Sequence, residues 1–278
     1  SVCLASPLRD VYKRQKIDYD ELIIGLGCED KYHNVPGAEA YTHSIQTLSK
    51  SRETYHRISE LPKGARVGIV GAGLSGIELA SELRESRSDL EILLYDRGPR
   101  ILRNFPEKLS KYISNWFSKH NVTVVPNSVI DRVEPGKIYN NGKPENIDLV
   151  VWTAGIQPVE IVRNLPIDMS TSGRVIINQY HQVPTYRNVY VVGDCANLPH
   201  APSAQLAELQ GEQIAEVLKK QWNNEPLPDK MPEIKVQGFL GSLGDKQGFA
   251  YIMDRTVTGR LASILKSGVL WRYKYHNG

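Results

Sequence analysis

The sequence is poor in cysteine: Cys3, Cys28 and Cys195 lie far apart in 278 residues, and no CxxC pair occurs. A disulfide-stapled scaffold and a redox-disulfide enzyme are both excluded by that spacing. No stretch approaches the roughly 20 consecutive apolar residues of a membrane span, and no signal-peptide pattern is visible, so a cytoplasmic protein is expected. The formal net charge is only +3 and no basic run is long, so no nucleic-acid partner is expected. No metal site is expected either. What remains is a chain with 41% hydrophobic residues, enough for the core of one large or two ordinary domains.

Residues 1–15 stand apart. Asp10 to Gln15 reads DVYKRQ, which resembles the translated end of a sequencing adapter, and the residues before it show neither strand nor helix periodicity. The segment is treated as non-native. Without Arg9, Asp10, Lys13 and Arg14 the net charge falls from +3 to about +1, and the natural chain is expected to extend further at its N-terminus.

The most informative stretch runs from Arg66 to Asp96. Val67, Ile69 and Val70 form a short apolar run, as in a strand buried on both faces of a parallel sheet. Gly71, Gly73 and Gly76 follow in GxGxxG spacing, a helix is expected from about Ser75 to Arg84, and a second strand from Leu90 to Tyr95 ends at Asp96. Each glycine has a task in dinucleotide binding: Gly71 makes the tight turn, Gly73 admits a pyrophosphate, and Gly76 lets helix and strand approach. The helix N-terminus then faces the phosphates with free N–H groups. Asp96 accepts hydrogen bonds from an adenosine ribose and repels a 2′-phosphate, which favours NAD(H) over NADP(H), a preference that Arg97 tempers.

Other elements follow from periodicity. Tyr19 to Gly27 reads as a buried strand, and Thr42 to Leu61 as a helix with Ile45, Leu48, Tyr55 and Ile58 near one face. Pro106 to His120 reads as an amphipathic helix, Val122 to Val125 and Val129 to Val133 as strands, and Asn140-Asn141-Gly142 as a hairpin turn. Leu149 to Trp152 leads into Thr153-Ala154-Gly155-Ile156-Gln157-Pro158, a small-residue turn that suits either a flat ligand or an ordinary tight turn. Asn188 to Asp194 is a strand ending in Gly193-Asp194, where the aspartate either binds a sugar hydroxyl or caps a helix. A helix is expected from Ser203 to Lys219.

In this order GxGxxG with GIELA, TAGIQP, VYVVGDCA and SAQLAELQG resemble the two-dinucleotide-domain flavoprotein reductases, and among them the type II NADH dehydrogenases. The resemblance implies an α/β fold with two Rossmann-like dinucleotide-binding domains and a small C-terminal α+β element. An incomplete FAD domain would comprise 16–62 and 156–232, an inserted NAD(H) domain 63–155, and a C-terminal hairpin with amphipathic helix 233–278. The family's first FAD glycine motif would lie upstream of Tyr19, so the fragment is expected to hold FAD weakly and to be inactive. The cofactors implied are FAD and NAD(H). Gly71, Gly73, Gly76 and Asp96 would bind NADH, Gly155 and Ile156 would border the nicotinamide, and Gly193, Asp194, Ala204 and Gln205 would bind FAD. Glu78 and Gln205 would be the catalytic pair, although Glu78 is equally readable as a helix-dipole partner.

The family often shows AQxAxQ, whereas here Leu209 stands at the second glutamine position and Gln210 one step on, turned by about 100° on the helix. The resemblance implies ping-pong transfer from NADH through flavin to a quinone. A reductase with another small acceptor, or a non-enzymatic NADH-binding module, are the alternatives. Cys28 and Cys195 read as small buried residues rather than redox thiols. Phe239 to Phe249 reads as a glycine-punctuated hairpin, which in the family packs under the flavin. Gly259 to Asn277 sets Leu261, Ile264, Leu265, Leu270 and Trp271 among Arg260, Lys266, Arg272 and Lys274. That pattern suits a helix lying on the inner face of the cell membrane or one docked on its own domain. A homodimer is left open.

Overall fold

The computed structural model describes residues 17–277, and the adapter-like segment 1–15 lies outside them. Among the described residues, 17–29 together with 156–236 form one compact unit, and 30–155 with 237–277 form the other.

The second unit is built on a four-stranded parallel sheet in the order Val122–Val125, Glu91–Tyr95, Arg66–Val70, Leu149–Trp152. Val67, Ile69, Ile92, Leu94 and Val151 are completely buried in it, because helices cover the sheet. Each such side chain contributes roughly 1.5–3 kcal/mol on burial, which fixes the register. The Leu74–Ser86 helix crosses between the two central strands, and the Glu107–Lys119 helix places Leu109, Ile113, Trp116 and Phe117 in the same core. An antiparallel sheet of Ile130–Glu134, Lys137–Asn140 and Lys143–Asn146 follows, its turn formed by Asn141 and Gly142 at φ 51° and 74°.

The helix expected over Thr42 to Leu61 is shorter, Leu48–Ser59, with Thr47 as its cap. Its inward face carries Thr54 and Ile58, while Leu48 and Tyr55 are each 69% exposed. Thr54 is buried because its hydroxyl donates to the Ser44 carbonyl at 2.7 Å, a partner that hydropathy does not anticipate. Residues 238–277 contain three strands rather than a hairpin alone: Gly238–Leu243, Gln247–Ile252 and Arg255–Gly259, followed by the Arg260–Asn277 helix. Leu243 and Phe249 join the main core beside the Leu74–Ser86 helix.

In the first unit Leu22–Ile24 pairs parallel to Tyr186–Val191, which pairs antiparallel to Gln182–Val183. The strand expected over Tyr19 to Gly27 is thus confined to its middle, and Ile23 is half exposed. The Ala204–Trp222 helix buries Ile214, Val217 and Leu218 against Tyr190. Ser203 caps it by accepting from the Leu206 N–H at 3.2 Å.

Candidate functional site

In the second unit the glycine turn is locked from below. Gly71 sits at φ +110°, and a Cβ there would stand 2.8 Å from the Thr153 carbonyl and from Ala154 Cα. A Cβ on Gly76 would overlap the Gly71 carbonyl oxygen and come within 2.8 Å of Thr153 Oγ1. Gly73 differs: nothing lies within 4 Å of its Cβ position, so its backbone is open to a ligand. The Thr153 hydroxyl lies 3.0 Å from the Val70 carbonyl and 2.9 Å from that of Gly71, tying the small-residue turn to the glycine turn.

Asp96 is fixed by both of its oxygens. Oδ2 accepts from the Ala72 N–H at 2.9 Å and Oδ1 from the Gly98 N–H at 2.7 Å. The second lone pair of each oxygen remains for a diol. Arg97 is exposed, whereas the Arg100 guanidinium donates to the carbonyls of Leu102, Arg103 and Phe105.

Gly155 lies at φ +133°, beyond the end of the Leu149–Trp152 strand. Its carbonyl accepts from the Lys31 N–H at 2.9 Å, and the neighbouring Ala154 carbonyl accepts from His33 Nε2 at 2.9 Å. That φ favours glycine at 155, and a Cβ there would also crowd His33 Nε2 at 3.2 Å. Ile156 is half-buried at the start of the Ile156–Pro158 strand of the first unit.

Glu78 occupies the second turn of the Leu74–Ser86 helix, and one of its carboxylate oxygens is held by two donors. Oε1 accepts from the Ser242 N–H at 2.8 Å and from the Lys266 ammonium, which also donates to Ser242 Oγ at 2.7 Å. Glu85 accepts from the Asp245 N–H at 2.5 Å, and Glu82 between them is held above the usual carboxylate range by burial and by the neighbouring acids. This helix face is the seat of the C-terminal strands. Lys266, one of the basic residues flanking the apolar positions of the Arg260–Asn277 helix, turns inward to Glu78.

In the first unit Gly193–Cys195 forms a tight helical turn with Gly193 at φ +76°. The Asp194 carbonyl accepts from Arg174 Nε at 2.9 Å and from Cys28 Sγ at 3.3 Å. Burial raises the Asp194 carboxyl, an effect that Arg174 partly offsets. The Cys28 thiol is pushed up to about 12, chiefly by burial, and Cys195 is fully buried and also raised. Neither is poised as a nucleophile. Ala204 and Gln205 open the helix that Ser203 caps.

Gln210 is completely buried, its Oε1 accepting from the Gly193 N–H at 2.8 Å. It faces the glycine–aspartate turn, away from the side shared by Gln205 and Leu209. Sequence reasoning gave Arg174, His181 and Gln210 no such part, because their partners are distant in the chain.

A family profile described as pyridine nucleotide-disulphide oxidoreductase matches residues 5–211. An NADH dehydrogenase-like protein of Bacillus subtilis is 57% identical over 265 residues, which cover 95% of this chain and 75% of that protein. A type II NADH:quinone oxidoreductase of Staphylococcus haemolyticus is 23% identical over 282 residues, 90% of this chain and 69% of its own length. Among solved structures, NDH2 from Plasmodium falciparum in complex with NADH superposes with a TM-score of 0.80 at 16% identity, over 93% of this chain and 75% of that one. At that identity the likeness is one of fold.

Proposed function

We propose that this chain, which belongs to the pyridine nucleotide-disulphide oxidoreductase family, acts as an FAD-dependent NADH dehydrogenase that delivers electrons to a quinone. The carrying observation is Asp96 held by two backbone N–H groups beside a glycine turn that is closed at Gly71 and Gly76 and open at Gly73. That arrangement suits an adenosine ribose on the carboxylate and a pyrophosphate over Gly73.

The residues fit both nucleotides. Gly71, Gly73, Gly76 and Asp96 hold NADH, with Gly155 and Ile156 beside its nicotinamide. Gly193 and Asp194, with Ala204 and Gln205 at the helix N-terminus, hold FAD; the left-handed Gly193 and the half-buried Asp194 carboxyl support this assignment. When bound, the flavin supplies a hydride acceptor toward NADH and a two-electron donor toward the quinone. The chain itself binds, aligns and excludes water. Glu78 anchors the C-terminal strands through Oε1, which accepts from Ser242 and Lys266. Gln205 is the polar group offered to the quinone, a substrate class supported by the name of the Staphylococcus haemolyticus relative.

No helix of the described residues is long and apolar enough to cross a membrane. The Arg260–Asn277 helix exposes Leu261, Ile264, Trp271 and Tyr275 while burying Ala262, which supports peripheral contact with the inner face of the cell membrane. Initial-rate kinetics on the full-length, flavin-loaded protein test the reaction. Parallel double-reciprocal lines for NADH at several concentrations of a soluble quinone are expected; no quinone-dependent NADH oxidation would refute the proposal.

A further inference from the structure

The polar groups behind the Gly193 turn form a single file whose two ends have fixed hydrogen-bonding character. At one end the Gly193 N–H can only donate, and at the other the Pro232 carbonyl can only accept. Between them stand Gln210, His181 and Gln213, with separations of 2.8 Å from Gly193 N to Gln210 Oε1, 3.4 Å from Gln210 Nε2 to His181 Nδ1, 2.8 Å from His181 Nε2 to Gln213 Oε1 and 2.7 Å from Gln213 Nε2 to Pro232 O. Gln210 and His181 are buried.

The fixed ends determine every orientation between them. Gln210 must turn its oxygen to Gly193, so its NH₂ faces His181 Nδ1, which must present a lone pair. His181 is therefore neutral with its proton on Nε2, donating to Gln213 Oε1, and the Gln213 NH₂ donates to Pro232. Reversing one member sets donor against donor or acceptor against acceptor in a buried site, a costly arrangement. His181 itself is held at φ 62°, where its N–H donates to Asn178 and its carbonyl accepts from Val191 of the strand leading to Gly193. Burial lowers the affinity of its ring for a second proton, in agreement with the neutral form.

We propose that Gln210 is a positioning residue for the cofactor-binding turn, and that the His181 tautomer sets its amide orientation. Gln210 thereby fixes the Gly193 peptide plane and with it the direction of the Asp194 side chain. The inference rests on the assignment of Gly193 and Asp194 to FAD, but the hydrogen-bond file itself can be tested without flavin.

The experiment uses the full-length protein and two variants of it. Proton–nitrogen correlation spectra of His181 are expected to show a protonated Nε2 and a bare Nδ1 in the wild type; the opposite tautomer, or an imidazolium at neutral pH, would overturn the proposal. In Gln210→Glu the carboxylate accepts from both sides, so the Gly193 amide resonance should stay near its wild-type position while His181 becomes doubly protonated. In Gln210→Leu the Gly193 amide should shift and flavin should dissociate about tenfold faster or more, one hydrogen bond's worth. Unchanged flavin dissociation from folded Gln210→Leu refutes the positioning role. Should the wild type bind no flavin, the cofactor assignment fails, and the Gly193 amide shift alone then decides whether Gln210 holds the turn.

Discussion

Replacing Asp96 by asparagine changes one atom type and is expected to be damaging. The carboxylate satisfies two converging donors, Ala72 N–H at 2.9 Å and Gly98 N–H at 2.7 Å. An amide has one acceptor oxygen, so one of these donors must face an NH₂ group. Losing one charge-assisted bond and opposing two donors costs about 1.5–3 kcal/mol. Since 1.4 kcal/mol is tenfold, NADH affinity should fall by roughly 10- to 100-fold, because the same carboxylate orients the ribose and steadies the glycine turn through Ala72. Melting of the dinucleotide unit should drop by several degrees as well. Isothermal titration with NADH and NADPH, alongside thermal denaturation, measures both. The substitution also removes the charge that repels a 2′-phosphate, so the NADH-to-NADPH affinity ratio should shrink. Asp96→Asn binding NADH within twofold of wild type, with unchanged melting, would refute the reasoning.

Gly76→Ala should abolish measurable NADH binding and destabilise the unit by about 1–3 kcal/mol or more, since its Cβ overlaps the Gly71 carbonyl; urea denaturation and fluorescence titration decide this. With its thiol pushed up to about 12, Cys28 should react with iodoacetamide at pH 8 roughly a thousandfold more slowly than an ordinary cysteine, as peptide mapping would show. Burial keeps His181 neutral in the folded chain, while the unfolded chain takes up a proton near the ordinary value of about 6.5. The stability that His181 contributes is therefore complete above that pH and is lost as pH falls from there through the lower folded value. Urea midpoints between pH 7.5 and 5 should show that loss in the wild type and a smaller one in His181→Asn, where His43, also lowered by burial, still contributes.

The glycine motif, its flanking strands and Asp96 were legible because local sequence determines them: a turn needing positive φ, a helix needing close approach and a strand tip needing an acid are all contiguous. The Asn141-Gly142 turn was legible for the same reason. The third C-terminal strand was not, because its two-residue turn is formed by Met253 and Asp254 at φ 48° and 60°, where Asp254 alone suits a turn and the glycine of an Asn-Gly or Asp-Gly pair is missing. Buried polar residues were equally opaque. Thr54, His181 and Gln210 look like surface residues until their partners are known, and Gln210 meets Gly193 and His181 only after the chain has folded. Lys266 shows the complementary failure. Helical periodicity puts it among flanking cations, yet its partner Glu78 lies 188 residues away in sequence.

The most direct test of the central claim is an anaerobic NADH titration of the full-length, flavin-loaded protein, followed by absorbance and then by addition of a soluble quinone. Stoichiometric bleaching of the flavin band by NADH and rapid recovery on adding quinone are expected. Flavin that NADH does not bleach, or bleached flavin that quinone does not reoxidise, would contradict the claim.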